Sequence, residues 1–181
     1  MIDCFTLYLL FYYFKKRNQM NRQKIITIIG RSGSGKTTLV EKLIRHYKSE
    51  GKKVSALKSM RHDFNIDHEG KDTWRYRDAG VFSAAITNGR MMAFVSDIDT
   101  DYTPLDIAHL YFPDSDVIII EGYKDSRSPK IEVIGDSTEE PLFAGDDAVK
   151  IVVTDREIQT AFPVFRRDDI DAIVNEIEKS F

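Results

Sequence analysis

Residues 30–37 read Gly-Arg-Ser-Gly-Ser-Gly-Lys-Thr, a spacing in which glycines let backbone N–H groups turn inward around phosphate oxygens. Lys36 would add a point charge at the β and γ phosphates, and the Thr37 hydroxyl is a ligand type suited to Mg²⁺. Gly30, Arg31, Ser32, Gly33, Ser34, Gly35, Lys36, Thr37 and Thr38 are therefore candidate phosphate-binding residues. A second candidate is Glu121, which ends the apolar run Asp116-Val-Ile-Ile-Ile-Glu121-Gly122. A carboxylate there can hold Mg²⁺ or a water beside a terminal phosphate, and Lys36 and Glu121 are the expected catalytic pair. Asp116, at the other end of the same run, should lie far from the nucleotide.

Charge and imidazole also concentrate between Lys58 and Asp72. Asp63, Asp67 or Asp72 could ligate a metal, with Asp67 taken as the candidate, while Lys58, Arg61 and His62 could pair with an anionic second substrate. Lys124 and Lys130 could extend a positive lining toward a second anionic ligand, with Lys124 the better placed.

These residues need elements to position them. Lys24 to Ile29 is a β-branched run with little polar alternation, as in a parallel strand covered on both faces. Thr37 to Glu50 places Leu39, Leu43, Ile44 and Tyr47 at near-helical spacing, with Gly51 where a left-handed cap is wanted. Strand, glycine loop and helix thus follow in the order that gives the loop its function. Lys53 to Lys58 reads as a second strand, and Asp72 to Ala79 as a short helix closed by Gly80. Phe82 to Thr87 and Arg90 to Val95 flank Asn88-Gly89, which predicts a hairpin with a type I′ turn.

Thr103-Pro104-Leu105-Asp106 then starts a helix reaching about Tyr111. Val117 to Ile120, Lys130 to Ile134 and Val149 to Val153 read as strands, and Asp168 to Lys179 as a terminal helix with Ile170, Ile173, Val174 and Ile177 on one face. The expectation is an α/β fold: a P-loop NTPase three-layer sandwich, its sheet mostly parallel, with an embedded β-hairpin. In such a sheet the loop after the second strand sits at the carboxyl ends, beside the first glycine loop.

The chain has 181 residues, enough for one domain. Lys and Arg number 26 against 29 Asp and Glu, a formal charge of −3, so no bulk basic excess recruits nucleic acid and any anion site must be local. The single cysteine, Cys4, cannot form an internal disulfide, which fits a reducing cytoplasm. The apolar run Cys4 to Phe14, followed by Lys15, Lys16 and Arg17, is shorter than the roughly 20 residues that cross a bilayer. No transmembrane segment is expected. The basic residues follow the run rather than precede it, unlike a secretory signal. Residues 1–19 read either as an extension upstream of a start at Met20 or as an interfacial anchor, leaving 20–181 as a single nucleotide-binding domain.

From about Lys24 to its end the chain resembles the family of molybdopterin-guanine dinucleotide biosynthesis protein B (MobB). The resemblance rests on Gly30 to Thr37, Lys58 to Asp63, Asp67, Gly70-Lys71-Asp72 with Arg77 and Ala79-Gly80, Glu121-Gly122-Tyr123-Lys124, and Pro129-Lys130-Ile131-Glu132. Where the family has a Lys-His pair after the second strand this chain has Lys58-Ser59, leaving His62 as one of two expected histidines. The resemblance implies binding of GTP with Mg²⁺, slow GTPase activity, and action as a homodimer beside the guanylyltransferase that joins GMP to molybdopterin. Molybdopterin, or molybdenum cofactor, would be a further bound ligand, with Lys124 toward its phosphate. No Asn-Lys-x-Asp motif for guanine is present. Asp155, in Val-Val-Thr-Asp, either accepts two N–H bonds from the base or, with Thr154, caps the segment that follows. Two alternatives stand beside this reading: a small-molecule kinase whose 59–72 loop binds an acceptor hydroxyl, and an adaptor in which nucleotide stabilises a docking surface without functional hydrolysis.

Overall fold

In the computed structural model, the structure describes residues 23–98, 101–136, 141–142 and 146–181, so the reading of residues 1–19 lies outside the described residues. The β-branched run after Gln23 forms β1 (Lys24–Gly30), and the glycine loop leads into α1 (Lys36–Ser49) and then β2 (Val54–Lys58). Next come α2 (Asp72–Asp78), β3 (Ser83–Thr87), β4 (Met92–Ser96), α3 (Pro104–Tyr111) and β5 (Val117–Glu121). The chain continues through β6 (Lys130–Val133), β7 (Val149–Val153), β8 (Val164–Phe165) and α4 (Ile170–Ser180).

It divides into two compact units. One takes the described residues up to Met60 together with Pro104–Phe181, and the other is Arg61–Thr103. The first holds a six-stranded sheet in the order β2-β5-β1-β6-β7-β8. Every pairing in it is parallel, which is the α/β architecture expected.

Because all six strands run the same way, their carboxyl ends share one edge. The order reverses at β1: the chain leaves β1 for β2 on one side, and later passes from β5 across β1 to β6 on the other. Such a switch point is where open parallel sheets bind ligands.

Both sheet faces are covered, which is why the strands read as continuous apolar runs. On one face Ile26, Ile28, Ile119, Ile131 and Val153 pack with Leu39, Leu43 and Tyr47 of α1 and with Ile173, Val174 and Ile177 of α4. On the other, Ile118 and Ile120 pack with Ala108 of α3, and Ile29 and Val152 with Ile158 and Phe162. Tyr47 also donates its hydroxyl to Glu178 Oε1 at 3.2 Å, joining the two helices of one layer. Burial and that neighbouring carboxylate push the phenol well above its ordinary pKa.

Several boundaries move by a residue or two for identifiable reasons. The last helix starts at Ile170 because Asp169 is its N-cap, accepting the Ala172 N–H at 3.3 Å. Gly51, at φ 78°, supplies the left-handed position expected after α1. The two-residue strand β8 has no counterpart in the sequence reading, being too short to show a period. No helix among the described residues is long and apolar enough to cross a membrane.

In the second unit β3 and β4 pair antiparallel, from Ser83 opposite Ser96 to Thr87 opposite Met92. The hairpin forms, but its turn is not type I′. That turn needs two positive φ angles, and here only Gly89 has one, at 82°. Asn88 instead uses its side-chain oxygen to accept the N–H groups of Arg90 and Met91 at 3.0 and 2.8 Å.

Ile119 is fully buried between the two layers, so Ile119→Ala should cost about 2–5 kcal/mol in urea denaturation. Val164→Ala, at an exposed position of the edge strand, should stay within about 0.5 kcal/mol. Equal costs would contradict the contrast between the buried central strand and the exposed edge strand described here.

Candidate functional site

β1 ends at Gly30, whose φ of 149° no L side chain adopts easily. A Cβ there would sit 2.3 Å from the Val133 carbonyl oxygen and 2.7 Å from Ser34 Oγ, so the loop closes against β6 only if residue 30 is glycine. Gly33 and Gly35 also take positive φ, 72° and 96°. Gly35 is the N-cap of α1 and brings no side chain to its first-turn amides, leaving them for an anion. Ser34 Oγ is buried and has no hydrogen-bond partner among the described residues.

Lys36 folds back over the loop, its Nζ donating to the Arg31 carbonyl at 2.6 Å. Burial lowers its pKa, Glu121 partly opposes that shift, and the charges of Lys124 and Lys58 add to it. The Thr37 hydroxyl lies 3.2 Å from both carboxylate oxygens of Glu121, bringing the sequence-predicted hydroxyl and carboxylate together. Glu121, the last residue of β5, keeps only 12% of its side-chain surface exposed. Lys58, the last residue of β2 and its register partner, reaches to 4.0 Å of Oε1. At the opposite end of β5, Asp116 accepts the Lys53 N–H at 2.8 Å, away from this edge as expected.

Backbone contacts hold the carboxylate there. Ser59 N–H donates to the Glu121 carbonyl at 2.8 Å and Gly122 N–H to Ile28 at 2.9 Å. Gly122 has φ 96°, and a Cβ on it would lie 2.4 Å from the Ser59 carbonyl oxygen.

Lys130 does not line an anion site. It is buried, paired with Asp146 at 2.7 Å, and donates to the Lys124 carbonyl, because a buried ammonium must be neutralised and hydrogen-bonded. Its effect is to anchor the backbone of Lys124, whose own side chain stays exposed.

Asp155 follows β7 at the same edge. It lines a cavity of about 260 Å³ with Gly35, Thr38, Lys42, Arg167 and Asp168. Arg167, Lys42 and Asp168 went unnoticed in the sequence, where Arg166 to Asp169 shows only a short run of mixed charge. Lys42 pairs with Asp168 at 2.5 Å, which holds that exposed carboxyl below its ordinary pKa.

Arg61, His62, Asp63 and Asp67 belong to the second unit. There Asp67 accepts its neighbour His68 N–H through Oδ1 at 3.0 Å, while Oδ2 is buried without a hydrogen-bond partner. Among the described residues no group of three His, Cys, Asp or Glu side chains converges as a metal cluster would.

Residues 25–174 match the family described as molybdopterin guanine dinucleotide synthesis protein B, MobB. The chain belongs to the MobB family. A molybdopterin-guanine dinucleotide biosynthesis adapter protein of Haemophilus influenzae is 31% identical over 164 residues, covering 88% of this chain and 90% of that one. A probable molybdopterin-guanine dinucleotide biosynthesis adapter protein of Bacillus subtilis is 26% identical, over 85% and 93% of the two chains. The fold is shared with a solved MobB structure at TM-score 0.67 and 24% identity, covering 86% of this chain and 97% of that one. A MobB homologue from Bacillus stearothermophilus gives TM-score 0.64 and 23% identity, over 87% and 99%. Among the motifs this chain brings to the MobB family, Glu121-Gly122 and the glycine loop meet at one sheet edge.

The electrostatics of Lys36 are open to direct test. Its Nζ should titrate below an ordinary lysine, and Glu121→Gln should lower it further by removing the one charge that raises it, whereas Lys124→Ala should raise it. NMR titration of the labelled ammonium reads both shifts. A Lys36 unmoved by Glu121→Gln would place that carboxylate out of its electrostatic reach.

Proposed function

We propose that the chain binds GTP with Mg²⁺ and acts as an adapter in making the guanine dinucleotide form of molybdenum cofactor, assisting the guanylyltransferase. The observation that carries the nucleotide reading is the contact of Thr37 Oγ1 with both oxygens of Glu121, directly after the loop from Gly30 to Lys36. A hydroxyl and a carboxylate are the hard oxygen donors that Mg²⁺ takes when phosphates and waters fill its other positions. When bound, the ion would neutralise charge on the terminal phosphates.

The chain's own groups do the rest. Free amides of the α1 first turn and the Lys36 ammonium hold phosphate oxygens, and Lys36 would exchange its bond to the Arg31 carbonyl for one to phosphate. Glu121 would orient a water or the ion's shell, supporting a slow hydrolysis. Asp155 shares a cavity with Gly35 and Thr38 beside the loop, a position suited to accepting N–H groups of a base. Lys58 and Lys124 supply cationic charge beyond what Glu121 neutralises, suited to a phosphate-bearing second ligand such as molybdopterin. That the relatives are adapter proteins favours nucleotide-dependent docking over catalysis as the purpose of the site.

The hairpin supports a homodimer as the working assembly. Ile86 and Ala93 lie on one face, Met92 and Phe94 on the other, and Ile86, Met92 and Phe94 are 61%, 72% and 45% exposed. An antiparallel pair ordinarily keeps one polar face for solvent, and a lone two-stranded hairpin is marginal in water. Apolar surface on both faces fits burial against a second copy.

GTP should bind at least about tenfold more tightly than ATP in calorimetry, worth about 1.4 kcal/mol. Lys36→Ala should reduce both GTP affinity and single-turnover hydrolysis, because its charge acts in ground and transition states alike. Glu121→Gln should spare most of the affinity and slow hydrolysis. Equal GTP and ATP affinities, or a Lys36→Ala protein that binds normally, would remove the GTP reading.

Light scattering should report a dimer for the unaltered chain and a smaller particle for a Met92→Glu, Phe94→Glu double variant with unchanged GTP affinity. A monomer at all concentrations would sink the dimer proposal.

A further inference from the structure

The cavity beside the glycine loop contains a pair of side chains whose bonding is incomplete in a specific way. Arg167 Nη2 is committed, donating to the Ile134 carbonyl at 3.0 Å and to Asp136 Oδ1 at 3.1 Å, and this ties the guanidinium to the end of β6. Its Nε stands 3.5 Å from Asp155 Oδ2 but makes no hydrogen bond. The Arg167 backbone N–H occupies the other oxygen, Asp155 Oδ1, at 3.3 Å, with Arg166 Nε 3.7 Å away. Three of the five guanidinium N–H groups are thus directed at the protein. The two on Nη1 have no hydrogen-bond partner among the described residues, and Asp155 Oδ2 keeps its acceptor capacity. The pair is neither free-swinging nor fully solvated, at 27% and 38% side-chain exposure.

A carboxylate beside a guanidinium presents acceptors next to donors. The Watson–Crick edge of guanine is the complement, with N1–H and the 2-amino group to donate and O6 to accept. Adenine reverses both of the shared positions, putting an acceptor at N1 and an amine at C6. Arginine is the side chain that most often addresses guanine O6 in nucleic acids, where planar donors match it.

We propose that Arg167 is a specificity-determining residue that donates from Nη1 to O6 of a guanine base, completing a reader whose other half is Asp155. The inference rests on the GTP reading above and adds a residue and a base atom to it. Anchoring through Ile134 and Asp136 holds the guanidinium plane before the base arrives, so little ordering is required on binding. Selectivity then has two independent parts, one at O6 and one at N1 and the 2-amino group. A site built around polar groups rejects a base that leaves them unpaired far more strongly than an apolar slot would.

Calorimetry with GTP, ATP, inosine triphosphate and 6-thioguanosine triphosphate separates the parts, since inosine lacks only the 2-amino group and the thio analogue weakens only the acceptor at position 6. The unaltered chain should bind the thio analogue about tenfold more weakly than GTP, the scale of one charged hydrogen bond. Arg167→Leu should weaken GTP by a similar factor and bring GTP and its thio analogue to the same affinity, while the penalty for inosine persists. Arg167→Lys should restore part of the discrimination. Asp155→Asn should do the converse, erasing the inosine penalty and keeping that for sulfur.

Equal binding of GTP and 6-thioguanosine triphosphate by the unaltered chain overturns the proposal without any variant. So does an Arg167→Leu protein that melts normally yet keeps the sulfur penalty, or one that weakens all four nucleotides alike, which is the mark of a structural role. A chain that binds no nucleoside triphosphate, or GTP and ATP equally, fails at the GTP reading itself, a result distinguishable from these.

Discussion

The site depends on one constraint, the in-register parallel insertion of β5 between β2 and β1. Glu121 is level with Lys58 on one side and with Ile28 on the other. This register sets the carboxylate against the first helical hydroxyl, because β1 runs on only two residues before the loop turns at Gly30. A slip of one residue would turn the Glu121 side chain to the other face of the sheet. Gly122 holds the register at its end, since the close approach of the Ser59 carbonyl tolerates no Cβ. Sheet geometry, rather than any direct bond between catalytic groups, thus provides the preorganisation that a phosphate site needs.

Charge at this edge is balanced against the molecule as a whole. The chain carries a formal −3, yet three lysines, Lys36, Lys58 and Lys124, act around one carboxylate. Local excess of positive charge, not net charge, is what an anion entering the edge would meet. Lys130 shows the other fate of a lysine in this segment: buried and neutralised by Asp146, it acts through the backbone it holds. Lys124 and Lys130 differ in burial and in the pairing with Asp146 that burial requires, and both are properties of the folded chain.

That difference also marks how far the sequence could be read. The parallel strands were legible because two-sided burial leaves unbroken runs such as Ile118 to Ile120, and the helices because α1 and α4 repeat apolar residues at helical spacing. The glycine loop and Glu121 were legible because their residue types are dictated by backbone angles and strand-end position. Lys130 was misjudged, since nothing in Pro-Lys-Ile-Glu says which face a lysine takes. Arg167 was invisible because its partners, Ile134, Asp136 and Asp155, come from distant segments that only the β6 and β7 pairing brings together. The hairpin was foreseen but its turn type was not, since Asn88 bonds through its side chain in place of adopting a left-handed angle.

The strand order has a consequence for how the chain acquires its structure. β1 has no sheet neighbour among the elements that follow it directly: its partners are β5 and β6, and β2 likewise pairs only with β5. A chain emerging from the ribosome at about 5–20 residues per second therefore exposes β1 and β2 with open edges until β5 is made, seconds later. The intervening hairpin β3–β4, whose pairing is local, is free to form first. Non-local pairing of this kind makes folding slow and gives chaperones a window to act on the two apolar strands. The same insertion that aligns Glu121 with the glycine loop also joins β2 to β1, and an incomplete chain ending before β5 would have neither the parallel sheet nor the site.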